Sequence, residues 1–245
     1  MMIRAKYTKK GDLVYLSHLD LVRLFERAFR RAEVPLAFTQ GFNPHPMISF
    51  AAPLSVGVSS EAEYFDVVLS EPLAVDQFIS TLNNTLPQDI QILQAAQMDE
   101  KQVSALMQEA ALMVYTLTFS LDQPAATETL SEAVEVFKNQ PEIIIQKKAK
   151  DGTGKSNKRF GKRKKIKHVD ILPYIHTFSV EKQEGLLVEL LLEIKVFDQA
   201  TIKPLLIFNK WLEVTGLPVK ADSLFIERKE ICKQDEAQHY ISILQ

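Results

Sequence analysis

Cysteine is nearly absent from this sequence, in which Cys232 is the only one among 245 residues. A single cysteine excludes a disulfide within the chain, and it excludes the cysteine clusters that hold structural zinc or iron–sulfur centres. If the protein takes part in metal or radical chemistry, a partner must therefore carry the cluster.

Long apolar runs are also absent. No stretch reaches the roughly 18 apolar residues that a membrane-spanning helix needs. The sequence begins with a charged, alternating segment rather than with the apolar core of a signal peptide. We therefore expect a cytoplasmic protein with no membrane contact.

The loops that bind common cofactors are missing as well. There is no Walker loop, no dinucleotide-binding glycine fingerprint and no nucleophile elbow. We predict no cofactor for this chain and, if it is an enzyme at all, no chemistry that depends on one.

The charge is distributed unevenly. The net charge of −2 hides a basic arm at residues 147–167, where eleven lysines and arginines stand against one aspartate, while the remaining residues carry 18 basic and 30 acidic side chains. Such a segment is attracted to polyanions by counterion release. A solubilising loop, a membrane surface and an acidic protein partner are the alternatives.

RNA is the polyanion we favour, because the acidic body argues against wrapping duplex DNA over a broad face. Phe160 is the only aromatic residue of the arm, so we expect little base stacking and weak sequence specificity. The predicted RNA-binding residues of the arm are Lys147, Lys148, Lys158, Arg159, Lys162, Arg163, Lys164, Lys165 and Lys167.

A second basic feature lies on the first predicted helix. Ser17 is a typical N-cap, and apolar residues from Leu21 to Ala32 recur with helical spacing. The opposite side of this helix carries Arg23, Arg27, Arg30 and Arg31. These arginines could bind phosphates, or they could form a solvated face paired with Glu26 and Glu33.

The periodicity of the first half gives the order strand, helix, strand, strand, helix, strand, which is typical of a ferredoxin-like unit. The second half repeats this order with a large insertion. We therefore predict an α+β protein of two ferredoxin-like (βαββαβ) domains packed together. The predicted units are residues 1–97 with the GFNPHP loop, a linker or connecting helix at 98–110, and residues 111–245 with the basic arm as a hairpin insertion.

Some elements rest on short local signals. Residues 36–39, 143–145 and 223–227 have the composition of strands. Asp198 is placed to cap a helix that Gly216 ends.

The loop at residues 40–46 is unusually constrained, because Gly41 permits a positive φ and two prolines fix the backbone around them. We expect a stiff, non-helical loop that either docks a partner or contacts a substrate. Its residues are Gln40, Gly41, Phe42, Asn43, Pro44, His45 and Pro46.

His18 and His45 are the candidates for acid–base catalysis, because imidazole titrates near neutral pH. If they converge near a phosphodiester, they could cleave RNA without a metal. His18, Asp20, His45 and Glu63 could also be assembled into a metal site, but their spacing contains no close ligand pair, and we predict no metal.

Four segments of the first half resemble a known family. They are YLSHLD at residues 15–20, RRA at 30–32, TQGFNPHP at 39–46 and GVSSEAEY at 57–64. Together they resemble the radical-SAM-associated domain of unknown function, which occurs as a stand-alone bacterial protein or fused behind a radical SAM enzyme. The resemblance implies a radical SAM partner, which agrees with the lone cysteine, and it implies no particular reaction.

The leading hypothesis is an RNA-binding accessory protein that acts beside a radical SAM enzyme in tRNA or rRNA modification. A metal-independent endoribonuclease that uses His18 and His45 is the first alternative. A protein-interaction adaptor that touches no nucleic acid is the second.

Overall fold

The computed structural model describes residues 1–99, 105–148 and 166–245 of the chain. These residues form a mixed α+β structure with five α-helices and one large mixed sheet. The helices are α1 (His18–Arg31), α2 (Val75–Asn83), α3 (Leu106–Glu109), α4 (Thr127–Lys138) and α5 (Pro204–Thr215). The strands are β1 (Met2–Lys9), β2 (Ile48–Phe50), β3 (Ser59–Val68), β4 (Ile92–Met98), β5 (Leu112–Ser120), β6 (Ile144–Lys148), β7 (Ile166–Asp170), β8 (Ile175–Glu184), β9 (Leu187–Lys195), β10 (Phe225–Gln234) and β11 (Tyr240–Ser242).

The large sheet runs in the order β4-β1-β3-β10-β5-β9-β8, with β2 added beside β3 and β11 beside β10. Strands β6 and β7 form a separate two-stranded sheet. Among the described strands, every pairing is antiparallel except the one between β3 and β10, which is parallel. The first and second halves of the chain therefore share one sheet.

Helix α1 forms where the sequence predicts it. The Ser17 hydroxyl accepts a hydrogen bond from the backbone N–H of Asp20 at 3.2 Å, which satisfies one of the free donors at the start of the helix. Leu21, Phe25 and Phe29 are buried on one side of the helix. Helix α2 is also confirmed, and it buries Phe78 and Leu82.

Two main cores lie against the sheet. In the first half, Phe25 and Phe29 of α1 pack around Phe65 of β3 with ring centroids 5.1 and 5.7 Å apart. In the second half, Trp211 of α5 contacts the ring of Phe119 on β5. Because side chains alternate along β3, Ala62 and Tyr64 point away from Phe65 into a smaller third cluster.

Two local predictions need correction. Residues 36–39 form two isolated bridges rather than a strand, since Pro35 and Pro46 cannot donate ladder hydrogen bonds. The linker or connecting helix predicted at 98–110 contains the four-residue α3 in its described part, and its first residue, Met98, belongs to β4.

In the second half, Asp198 does not cap a helix. It has a φ of 48° in the turn between Phe197 and Ala200, and α5 begins at Pro204 without any side-chain cap. Proline suits this first helical position because it has no N–H to satisfy. Gly216 does end the helix, in the left-handed conformation that was expected.

The strand expected at residues 143–145 is present as β6, but it pairs only with β7 among the described strands. The last predicted strand, at 223–227, is much longer and extends to Gln234. The second part of this strand is highly charged. It lacks the alternation of apolar residues by which strands are recognised in a sequence, so it was not predicted.

The two halves meet at the β3–β10 junction, which we define as residues 59–64 of β3 and 227–230 of β10. Ser59 and Ser60 lie opposite Glu227 and Arg228 in the parallel ladder. The buried guanidinium of Arg228 donates to the Glu63 carboxylate at 2.9 Å and to the backbone carbonyl of Ala52 at 3.2 Å. A buried ion pair therefore links the halves beside the ladder.

A second ion-pair group flanks the junction nearer to solvent. The Glu61 carboxylate accepts hydrogen bonds from the ammonium groups of Lys10 at 2.7 Å and Lys229 at 2.9 Å. These two bonds lower the pKa of Glu61 from its usual range to about 2. Lys229 also binds Glu227, so the charges form a small network rather than one pair.

We predict that Glu63→Gln lowers the free energy of unfolding by about 3–5 kcal/mol, because it leaves the Arg228 guanidinium buried without its counter-charge. Chemical denaturation of the purified variant measures this change. Glu132→Gln on α4 is the matched control, since Glu132 is exposed and has no ion pair among the described residues.

The double variant Glu63→Met with Arg228→Met removes both charges together. It should recover most of the lost stability, since two apolar side chains of similar size replace the ion pair. A Glu63→Gln variant as stable as the parent protein would contradict this role of the ion pair.

We also predict a pH dependence from Glu61. Its pKa is lower in the folded protein than in the unfolded chain, so its ion pairs stabilise the fold above about pH 5 and lose that effect as the pH falls toward 2. Because the side chain is 38% exposed, we expect at most about 1 kcal/mol. Denaturation of Glu61→Gln and of the parent should show a difference at pH 7 that shrinks below about pH 5 and vanishes only as the pH falls through about 2. A difference that is independent of pH would contradict the assignment.

Candidate nucleic-acid interface

The four motif segments gather at two places along α1. At its N-terminal end, the Gly57 N–H donates to the Val14 carbonyl at 3.0 Å, which brings residues 57–64 beside residues 15–20. At its C-terminal end, RRA lies next to TQGFNPHP, and residues of both segments line one cavity. We call the place at the N-terminal end of α1 the N-terminal cluster, and the cavity at its C-terminal end the α1 groove.

Lys9 organises the N-terminal cluster. Its ammonium group is buried and donates to the carbonyls of Val14 at 3.2 Å and Leu16 at 2.9 Å. Burial lowers the pKa of Lys9, because a charged ammonium loses its hydration there. These bonds fix the short 3-10 helix at Gly11–Tyr15, which leads into α1.

Glu63 lies in the same cluster, and burial raises the pKa of its carboxyl group. Its partner Arg228 also donates to the Tyr115 hydroxyl at 3.3 Å. The cavity that Lys9, His18 and Glu63 line measures only about 10 Å³, which is the space of one water molecule at most. The cluster can therefore brace the fold, but it cannot hold a substrate.

His18 is the first residue of α1 and lies at the mouth of this cluster. It is exposed, and its ring packs perpendicular to that of Phe50 with centroids 5.8 Å apart. The packing fixes the ring direction on one side and leaves the imidazole accessible to solvent.

The α1 groove has a volume of about 480 Å³, within the range of roughly 300–1,000 Å³ that ligand pockets have. Apolar and ionisable side chains both line it. They are Glu26, Phe29, Arg30, Glu33, Val34, Leu36, Phe38, Pro44, His45 and Pro46. A groove of this composition can hold a planar ring and also bind its polar edge.

One wall of the groove is the predicted stiff loop. The Thr39 N–H donates to the His45 carbonyl at 2.9 Å, and the His45 N–H donates back to the Thr39 hydroxyl at 3.0 Å. Gly41 has a φ of 132° at the tip, a conformation that side-chain-bearing residues rarely adopt. Phe42 beside it is fully exposed, which is unusual for so large an apolar ring.

The other wall comes from the end of α1. Glu33 adopts a φ of 51°, and Val34 then donates its N–H to the carbonyl of Phe29 at 3.2 Å. This reversal carries Glu33 and Val34 back along the helix, so the carboxylates of Glu26 and Glu33 line the same groove.

All four predicted arginines of α1 are exposed. Arg23 lies 3.7 Å from Asp20, and Arg31 donates to the Thr85 carbonyl at 2.6 Å. The side chains of Arg27 and Arg30 have neither a hydrogen bond nor an ion pair within the described ranges. The pairing with Glu26 and Glu33 that we considered as an alternative does not occur there. Two guanidinium groups are therefore available to an anion.

The structure does not bring His18 and His45 together. His18 lines the N-terminal cluster and His45 lines the α1 groove, and the two cavities share no residue. His18 begins α1, whereas the groove lies beside Arg30, about 18 Å further along the helix axis. The geometry does not support one reaction that uses both imidazoles.

The metal site considered from sequence is likewise not assembled. Glu63 is bound to Arg228, and His45 lines a different cavity from His18. Within the described ranges, no group of three or more histidine, cysteine, aspartate or glutamate side chains is arranged to hold a metal ion.

The described base of the basic arm is the β6–β7 hairpin. Lys147 lies directly opposite Lys167, and Lys148 lies opposite Ile166. The Lys147 ammonium donates to the Thr201 carbonyl at 3.0 Å, and burial lowers its pKa. The other predicted RNA-binding residues of the arm lie outside the described residues. They are Lys158, Arg159, Lys162, Arg163, Lys164 and Lys165.

Sequence reasoning missed the buried charges. Lys9 follows Ile3, Ala5 and Tyr7 at every second position of β1, so its side chain lies on the same buried face of the strand. This spacing was the one sequence signal that Lys9 is buried. Arg228 carries no comparable signal, because its partner Glu63 is 165 residues away in the sequence.

The chain belongs to a family described as "Uncharacterized protein conserved in bacteria (DUF2344)", whose model matches residues 2–204. No curated protein matches the sequence. No helix in the described part of the chain is long and apolar enough to cross a membrane.

Three solved structures are similar to this one at low sequence identity. A Cbf5-Nop10-Gar1 complex gives a TM-score of 0.46 with 13% identity and covers 96% of this chain. An H/ACA RNP bound to a substrate RNA containing 2′-deoxyuridine gives 0.45 with 12% identity and 97% coverage. An archaeal box H/ACA sRNP Nop10-Cbf5 complex gives 0.43 with 12% identity and 96% coverage. In each case, this chain spans 50% of the matched chain.

Proposed function

We propose that this member of an uncharacterized bacterial family is an RNA-binding accessory protein. The observation that carries the proposal is that two exposed arginines, Arg27 and Arg30, whose side chains have no partner among the described residues, lie beside a groove and a loop with an exposed aromatic ring. Guanidinium groups bind phosphate oxygens with two parallel hydrogen bonds. Exposed rings such as Phe42 offer faces on which unpaired bases stack.

The base of the basic arm adds support. Lys147 and Lys167 are opposed in the β6–β7 ladder, and like charges in that position repel each other. An RNA phosphate that lies between or beside them would relieve this repulsion. The arm and the arginines of α1 would then act as two backbone contacts of one RNA.

For the fold, the finer proposal is that each half is one ferredoxin-like unit. Strand order supports this reading. The first half is arranged β4-β1-β3-β2 and the second β10-β5-β9-β8, so each follows the order fourth, first, third, second among its main strands. The β6–β7 hairpin is then an insertion in the second unit.

The proposed partner is a radical SAM enzyme that modifies tRNA or rRNA. The support is the resemblance of four sequence segments to the radical-SAM-associated domain, together with the lone cysteine, which leaves the iron–sulfur cluster to the partner. Residues 40–46 belong to the RNA interface in this proposal.

The endoribonuclease alternative receives no support from the separation of His18 and His45. It remains testable in the same experiment, because discrete RNA fragments after incubation with the parent protein would favour it. The adaptor alternative predicts that RNA is not retained at all.

We predict that Arg27→Gln with Arg30→Gln weakens single-stranded RNA binding about tenfold at moderate salt, because two exposed charge-assisted contacts are lost. Each lost phosphate contact should also reduce the slope of log affinity against log salt by about 0.7. Fluorescence anisotropy with labelled RNA over a salt series measures both quantities.

The matched control is Lys182→Gln with Lys220→Gln, which removes the same charge from exposed positions of the second half. It should leave the affinity within about twofold, because neither lysine belongs to α1, to the lining of the α1 groove or to the β6–β7 hairpin. Equal losses in the two double variants would show a general charge effect and contradict a site on α1.

We further predict that the tagged chain, recovered from its native bacterium in high salt after nuclease treatment, co-purifies with a radical SAM enzyme. Mass spectrometry identifies the enzyme, and its iron–sulfur absorbance confirms the cluster. Recovery of the chain without such an enzyme, at native expression levels, would contradict the proposed partnership.

A further inference from the structure

We propose that the α1 groove is a base-reading subsite that takes one unstacked guanine of a single-stranded RNA. This inference rests on the proposed function, since it presumes that RNA reaches α1. It goes beyond that function by naming the part of the RNA that is read and the side chains that read it.

The charged side chains in and beside the α1 groove determine which part of an RNA can enter it. Arg27 is exposed on α1 outside the groove, whereas Arg30, Glu26 and Glu33 line it together, so the lining carries two carboxylates against one guanidinium. A phosphate would be attracted to the arginines and repelled by the carboxylates. We therefore expect the RNA backbone to lie at Arg27 outside the groove, and the group that enters the groove to carry no negative charge.

The apolar surface of the α1 groove suits a planar ring. Phe38 is 50% exposed although it lines the groove, so a large part of its ring is free to contact a ligand. Val34, Pro44 and Pro46 give the groove further apolar surface. A planar heterocycle can stack on Phe38 and be enclosed by these residues, as unpaired bases are in single-strand-binding proteins.

The carboxylates of the α1 groove can bind the polar edge of a base. The side chains of Glu26 and Glu33 have no hydrogen bond or ion pair in the part of the chain that the structure describes, so their carboxylate oxygens are free to accept. A carboxylate accepts two parallel N–H donors. Guanine presents two such donors side by side, N1–H and the N2 amino group, whereas uracil presents a single N–H between two carbonyl groups. The groove therefore favours guanine over uracil.

The test uses single-stranded RNAs of about ten nucleotides, a length typical of one binding site. One is all uridine, and the others replace the central uridine by guanosine, by inosine or by adenosine. Affinities are measured by anisotropy at roughly physiological salt. We expect guanosine to bind at least about fivefold more tightly than uridine, and inosine, which lacks the N2 amino group, to lose most of that gain.

Glu26→Gln and Glu33→Gln are the informative variants. Neither side chain has a hydrogen bond or an ion pair among the described residues, so we expect the fold to be kept, and at least one variant should abolish the guanosine preference while all-uridine RNA is still bound. Glu132→Gln on α4 is the control with the same change of charge, and it should keep the preference.

Three results would overturn the inference. If the parent protein binds RNA without preferring guanosine, the groove reads no base, although the proposed function stands. If the preference survives in both glutamate variants, another surface reads the base. If the parent binds none of the RNAs, both the inference and the proposed function fail.

Discussion

The structure depends on the parallel contact between β3 and β10. It joins strands from the two halves of the chain into one sheet, and it does so with few residues, since only two register pairs form the ladder. Charged side chains reinforce this short contact. Arg228 and Glu63 form a buried ion pair beside it, and Glu61 binds Lys10 and Lys229 nearer to solvent. A buried pair specifies its own alignment strongly, because any shifted register leaves a buried charge unpaired.

The β3–β10 junction also restricts where a functional site can lie. Glu63 and Arg228 hold the halves together, and Lys9 holds the turn before α1. The N-terminal end of α1 is therefore a structural centre even though it carries a motif with an exposed histidine. The other end of α1 is different. In the part of the chain that the structure describes, the side chains of Arg27 and Arg30 and the carboxylates that line the groove have no hydrogen bond or ion pair. Phe42 is fully exposed beside the glycine at the loop tip. Charged side chains that are open to a ligand and an exposed aromatic ring therefore lie together at the C-terminal end of α1.

The sequence predicted the elements whose pattern is local. Helices α1 and α2 and strand β5 follow from apolar periodicity, and the stiffness of the loop at residues 40–46 follows from its prolines and glycine. The lengths of β3 and β10 could not be predicted, because their pairing segments contain Glu61, Glu63 and Arg228, which look like solvent-facing residues until their partners in the other half are known. The α1 groove escaped prediction for the same reason. The stiff loop and the arginine helix were recognised separately, but their shared cavity arises from the chain reversal at Glu33.

The most direct test of the account is ultraviolet cross-linking of the parent protein to single-stranded RNA, followed by mass spectrometry of the cross-linked peptides. The account predicts cross-links at the aromatic residues of the α1 groove and its loop, Phe38 and Phe42, and at peptides that contain Lys147 or Lys167. Cross-links confined to the α4–β8 side of the second half, or a protein that forms none while the RNA is in excess, would contradict it.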